Sequence, residues 1–120
     1  MEKSMALFLA TLLHSGTNTH FMHWATKSYA QHKTLGKFYE NIIELTDTLA
    51  ETYFGCYGQI TNFPNSYHLP KSTPIAYLES LQKFVKDARS DLPNESQIVQ
   101  LIDNIAQEID TTIYLLKFKG

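Results

Sequence analysis

The chain has one cysteine, Cys56, and cannot close an internal disulfide. That fits a reducing compartment. It lacks the run of ~18–20 apolar residues that a membrane-spanning helix needs. It has no lysine- or arginine-rich tail or patch, and its net charge is −2. Tight, sequence-independent nucleic-acid binding is therefore not expected. No glycine-rich phosphate loop, nucleophile elbow or zinc-type cysteine pairing is present. Repeats, low-complexity tracts and the alternating pattern of strands are missing too. Lys3 followed by MALFLATLL looks like a short signal-peptide core, but no small-x-small cleavage site follows it. The expected location is therefore cytoplasmic.

What is there suits one all-α domain over residues 1–120,. The apolar fraction of 43% is enough to bury a core,. Apolar residues recur at three- and four-residue steps over about 5–26, 31–54, 74–90 and 95–117, which predicts four helices,. The first stripe is Met5, Leu9, Leu12, Leu13, Gly16, His20, His23 and Trp24. The second runs from His32 and Leu35 through Tyr39, Ile42, Ile43, Thr46, Leu49 and Ala50 to Phe54, with Gly55 and Gly58 as its stop. Thr73-Pro74 opens the third helix. Asn94 with Gln97 resembles a capping box for the fourth, which ends in Lys117, Lys119 and Gly120. Residues 55–73 form a long connection, the crossover that a ferritin-like four-helix bundle places between helices 2 and 3.

The chemistry-bearing residues cluster in His20–Glu51. His20 and His23 are three apart and share a helix face. Beside the second stripe runs an acidic one, Glu40, Glu44, Asp47 and Glu51. His32 and Asp47 share roughly one face, but fifteen residues of straight helix hold them about 22 Å apart at 1.5 Å per residue. Only a second, antiparallel copy of that helix brings them together, which points to a two-fold dimer with metal ligands at its interface. The plainer readings are core or interface histidines bonded to a backbone carbonyl or to a glutamate, and a solvated acidic face, which is preferred for Glu40 and Glu44.

His23-Trp24, His32 and Asp47-Thr-Leu-Ala-Glu51 together resemble the miniferritins, the Dps family of ferritin-like proteins, over about residues 9–56. The chain looks closer still to short ferritin-like proteins of unassigned function encoded in phage genomes. The resemblance implies that His23 and His32 of one subunit and Asp47 and Glu51 of a two-fold partner bind iron. His20, Trp24 and Glu44 would be accessory, Trp24 as an electron donor. It implies a homo-oligomeric shell that oxidises Fe(II) and stores it. Nitrogen plus carboxylate ligation with open positions suits non-haem iron, and zinc is the other candidate. Three features depart from the family. Gly36 stands where a carboxylate is expected, the Trp24–His32 segment is about one turn short, and no basic tail is present. The alternative is a non-enzymatic phage protein on the same fold, its metal site degenerate, that binds a host protein or small ligand.

Outside this region Cys56 reads as a small residue near a helix end. His14 is expected to face solvent, and Tyr67-His68 to pack over the bundle.

Overall fold

The computed structural model describes residues 1–118. Among them are four α-helices and no strand: α1 Glu2–Ala25, α2 Tyr29–Tyr57, α3 Pro74–Ala88 and α4 Ser96–Leu116. A single 3-10 turn, Arg89–Asp91, leads out of α3. At about 1.5 Å per residue, α2 nearly spans the 45 Å long axis by itself.

Each helix is built around a stripe that it buries. In α4 the stripe is Ile98, Ile102, Ile105, Ile109, Ile113 and Leu116, all buried. Each such side chain contributes about 1.5–3 kcal/mol when removed from water. It meets Leu35, Phe38, Ile42 and Leu49 of α2, and Leu78, Leu81 and Val85 of α3, in one continuous core. Phe8 of α1 stacks on Phe84 of α3 with centroids 5.8 Å apart.

The pairings fix the connectivity. α1 and α2 are antiparallel, since His23 meets His32 and Gly16 approaches Ile43. α2 and α4 are antiparallel through Asn41–Glu108 and Cys56–Gln97. α3 and α4 are antiparallel through Gln82–Asp110 and Arg89–Asp103. Asn18 meets Tyr77 and Phe8 meets Phe84, so α3 also runs antiparallel to α1. The ring of neighbours is thus α1, α2, α4, α3, and α2 and α3 are parallel. Residues 58–73 must climb back along the bundle and cross to the opposite corner, the single long crossover expected from the sequence.

Several local expectations are corrected. α2 continues through Gly55 and stops at Gly58, whose φ of 101° is a conformation that favours glycine,. An added Cβ on Gly55 would touch nothing, so that glycine imposes no break. The Asn94–Gln97 capping box does not form, because the cap position of α4 is Glu95 and makes no side-chain cap bond. Thr73, by contrast, accepts from the Ala76 amide at 3.3 Å, as its position before Pro74 predicted. Leu13, Trp24 and Ile43, placed in the apolar stripes, are exposed. Phe38, not named in the second stripe, is fully buried. His14 is half-buried against Tyr67 rather than facing solvent. The expected Lys119 and Gly120 at the C-terminus lie outside the described residues.

Candidate metal centre

The α1–α2 turn brings His23 and His32 together. Ser28 caps α2 by accepting from the Gln31 amide at 3.2 Å. Thr26 fixes the turn from inside, accepting from the Ser28 amide at 3.1 Å and donating to Gln31 Oε1 at 2.7 Å. With the hairpin set, His23 Nδ1 lies 2.5 Å from the His32 carbonyl oxygen and His32 Nδ1 lies 2.8 Å from the His23 carbonyl oxygen. The two rings stack with centroids 3.7 Å apart and planes 16° apart.

This arrangement assigns hydrogens. A carbonyl oxygen only accepts, so each Nδ1 must carry a hydrogen and donate it. In the neutral ring the lone pair is then on Nε2, the nitrogen left for a proton or a metal. A ring N–H held by a backbone carbonyl is also how ligating histidines are oriented. The same bonds have a structural use. The His23 carbonyl lies in the last turn of α1, where helical carbonyls lack an intrahelical partner.

More aromatic rings continue from the pair. Tyr39 lies edge-on to His23 at 5.4 Å and stacks on His20 at 3.9 Å, with planes 9° apart. His20 in turn packs on Trp24 at 4.5 Å. Trp24 is 65% exposed. In the sequence Tyr39 is only one member of the second apolar stripe. Its position opposite His20 follows from helix register across the hairpin, which one sequence does not give.

The carboxylates are elsewhere. α2 is continuous from His32 to Glu51, so Asp47 and Glu51 stay turns away down the same helix. Glu44, Asp47 and Glu51 are exposed. None of the three is in an ion pair among the described residues. No group of three or more His, Cys, Asp or Glu side chains within one chain could hold a metal, again among the described residues. Within one copy the histidine pair and these carboxylates therefore stay apart.

Gly36 is accounted for by packing. A Cβ built there would lie 3.0 Å from His23 Cε1 and 3.2 Å from Nδ1. The missing side chain leaves room for the imidazole.

Two polar clusters lie away from the histidine pair. Asn18, buried in α1, accepts from Tyr67 Oη at 2.6 Å and donates to Tyr77 Oη at 2.9 Å. Burial holds the Tyr77 phenol above its usual range, opposed by the Asn18 bond,. At the other end of the bundle, Tyr57 donates to Glu95 and Cys56 Sγ lies 3.5 Å from Gln97 Nε2. The Glu95 carboxylate pushes Tyr57 up to about 12, because a phenolate there would lose the bond and face a negative charge. A groove between α3 and α4, floored by Val85 and Ile109, lies across the bundle from the histidines. Its flanking Lys83 and Arg89 are paired with Asp87 and Asp103.

No helix is long and apolar enough to cross a membrane among the described residues. A family profile described as "Family of unknown function (DUF5856)" matches residues 23–116. No curated protein and no solved structure matches the chain.

Proposed function

Taking the chain as a member of DUF5856, the family of unknown function to which it belongs, we propose that it is a homo-oligomeric metal-binding protein of miniferritin type. Its sites lie between copies related by a two-fold axis. His23 and His32 of one copy supply Nε2 donors. Asp47 and Glu51 of the other supply oxygens, with Glu44 in reserve. The observation that carries this reading is the reciprocal bonding of His23 and His32, which holds both rings by Nδ1, while neither Nε2 makes a hydrogen bond among the described residues. Two-nitrogen, two-carboxylate sets suit Fe(II), with Zn(II) as the competitor. Iron held there would supply one-electron chemistry toward oxygen or peroxide. Trp24, reached through His20 and Tyr39, would be an exposed electron donor beside the pair. Oxidation and storage of iron is the function this implies.

A second reading is favoured by Gly36. With the imidazole filling that space, a family-type carboxylate has no room while His23 stays in place. The histidine pair is then a clasp for the α1–α2 hairpin. The protein would be a non-enzymatic binder of a host protein or small ligand.

A complementation experiment separates them. His23→Ala/His32→Ala and Asp47→Ala/Glu51→Ala each remove both sites of a two-fold dimer. Mixing the two and re-forming dimers rebuilds one complete site per heterodimer. Elemental analysis across a light-scattering-calibrated size-exclusion peak reads the result. Recovery of bound iron or zinc in the mixture alone supports the shared site. Metal-free wild-type protein that takes up no Fe(II) moves the conclusion to the clasp.

A further inference from the structure

The crossover is held to the bundle by little. Residues 61–69 are all exposed, and among the described residues none of their backbone groups takes part in a backbone–backbone hydrogen bond. Two anchors bound the segment. Ile60 is buried in the core on one side, and Pro70 is half-buried just before α3 on the other. Between them, among the described residues, one side-chain hydrogen bond reaches the bundle, from Tyr67 Oη to Asn18 Oδ1 at 2.6 Å. The Tyr67 ring also rests edge-on against His14, with centroids 4.9 Å apart.

The site underneath is polar. Asn18 is only 4% exposed, although it carries an amide. It lies where α1 faces the start of α3, and Tyr77 is its other partner. Lifting the segment breaks one neutral hydrogen bond and one edge-on ring contact and uncovers the half-covered sides of Phe63, Tyr67 and Leu69, but takes no residue of the buried core with it. Water then replaces the bond to Asn18 Oδ1, so the amide is not left unsatisfied.

We propose that residues 61–69 are a hinged strap, latched over the α1–α3 seam by the Tyr67–Asn18 hydrogen bond, that opens while the bundle stays folded. Opening uncovers an imidazole, an amide and a phenol, from His14, Asn18 and Tyr77. The hinges are Ile60 and Pro70. This device is independent of any metal at His23 and His32.

Chymotrypsin tests it on the full chain. Within the strap Phe63 and Leu69 each precede a proline, so Tyr67–His68 is the bond open to cleavage. Tyr67→Phe keeps a cleavable ring and removes only the latching hydroxyl. It should be cut at this bond about five- to tenfold faster than wild type, with unchanged helical circular dichroism. Asn18→Ala removes the acceptor and should reproduce the acceleration. Tyr77→Phe removes the other partner of Asn18 but leaves the latch, and should be cut at the wild-type rate. Equal rates for wild type and Tyr67→Phe would overturn the proposal. So would a Tyr77→Phe acceleration as large as that of Tyr67→Phe, or wild-type cleavage as fast as that of an unfolded peptide of the same sequence.

Discussion

The imidazole of His23 occupies the space that a side chain at position 36 would need. An ideal Cβ on Gly36 would stand 3.0 Å from its Cε1. The ring cannot simply turn aside, because it is stacked on His32 and bonded through Nδ1. In Gly36→Ala the helix-propensity gain of about 1 kcal/mol is set against loss of a hydrogen bond of about 1 kcal/mol. The expected outcome is an unfolding midpoint that barely moves, together with a displaced His23. Denaturant titration reads the first. Imidazole resonances in two-dimensional NMR read the second, and unchanged His23 signals would show that the ring has slack.

Gly16 gives the opposite result by the same reasoning. Its added Cβ would meet Ile43 Cγ1 at 3.0 Å and Cδ1 at 3.2 Å. Ile43 is 40% exposed and makes room by rotating toward solvent. Gly16→Ala should therefore stabilise the protein by up to about 1 kcal/mol, the propensity difference for a helix interior. A thermal melt showing marked destabilisation would mean that Ile43 is pinned, as by a second copy of the chain.

The contrast between these glycines also shows what sequence could and could not tell. Both lie inside a helix, and spacing alone does not say what a side chain at either position would meet. Which neighbour approaches, and whether it can yield, depends on the register between α1 and α2. The helices themselves were legible because their apolar spacing is strong. Ile98 to Leu116 in α4 fell where the period put them, and Thr73-Pro74 marked the start of α3 correctly. Boundaries set by glycine were less legible. Gly55 and Gly58 look alike in sequence, and only Gly58 takes positive φ. His23 and His32 were named as partners at one site, and they do meet. That they meet through Nδ1 and each other's carbonyls depends on the turn geometry of Thr26–Ser28. Asn18 lies off the apolar stripe, and a lone asparagine within a helix gives no hint of two tyrosines arriving from residues 67 and 77.

Tyr57 and Glu95 make a pH-dependent tie between the ends of α2 and α4. The bond needs the phenol protonated, and the phenol is pushed from its ordinary 10.0 up to about 12. Because the folded value is raised, the tie contributes its full stability below pH 10, where the unfolded chain also keeps its proton. That contribution falls away as pH rises through about 12,. Glu95→Gln removes the negative charge and should return Tyr57 toward 10. An ultraviolet titration of phenolate in Tyr57→Phe, Glu95→Gln and wild type isolates this group. A wild-type curve with no late-titrating tyrosine would refute the tie.

Replacing His32 by phenylalanine separates the two uses of the histidine pair. Phenylalanine keeps a flat ring to stack on His23, but it has neither a donor for the His23 carbonyl nor a nitrogen for a metal. The freed carbonyl is at the end of α1, where water can reach it. The loss should therefore be that of a single hydrogen bond, about 0.5–1.5 kcal/mol. A clasp predicts that loss and nothing more. A metal-binding pair predicts the same small loss in the apo protein, and abolished uptake of Fe(II) or Zn(II) by isothermal calorimetry. Stabilisation by metal should disappear with it, since a ligand that binds only the folded state raises stability in proportion to the logarithm of its occupancy ratio. Wild-type protein whose melting point rises with added Zn(II), beside a His32→Phe variant whose melting point does not, assigns the pair to metal. If neither responds, the two imidazoles are there to fasten a hairpin.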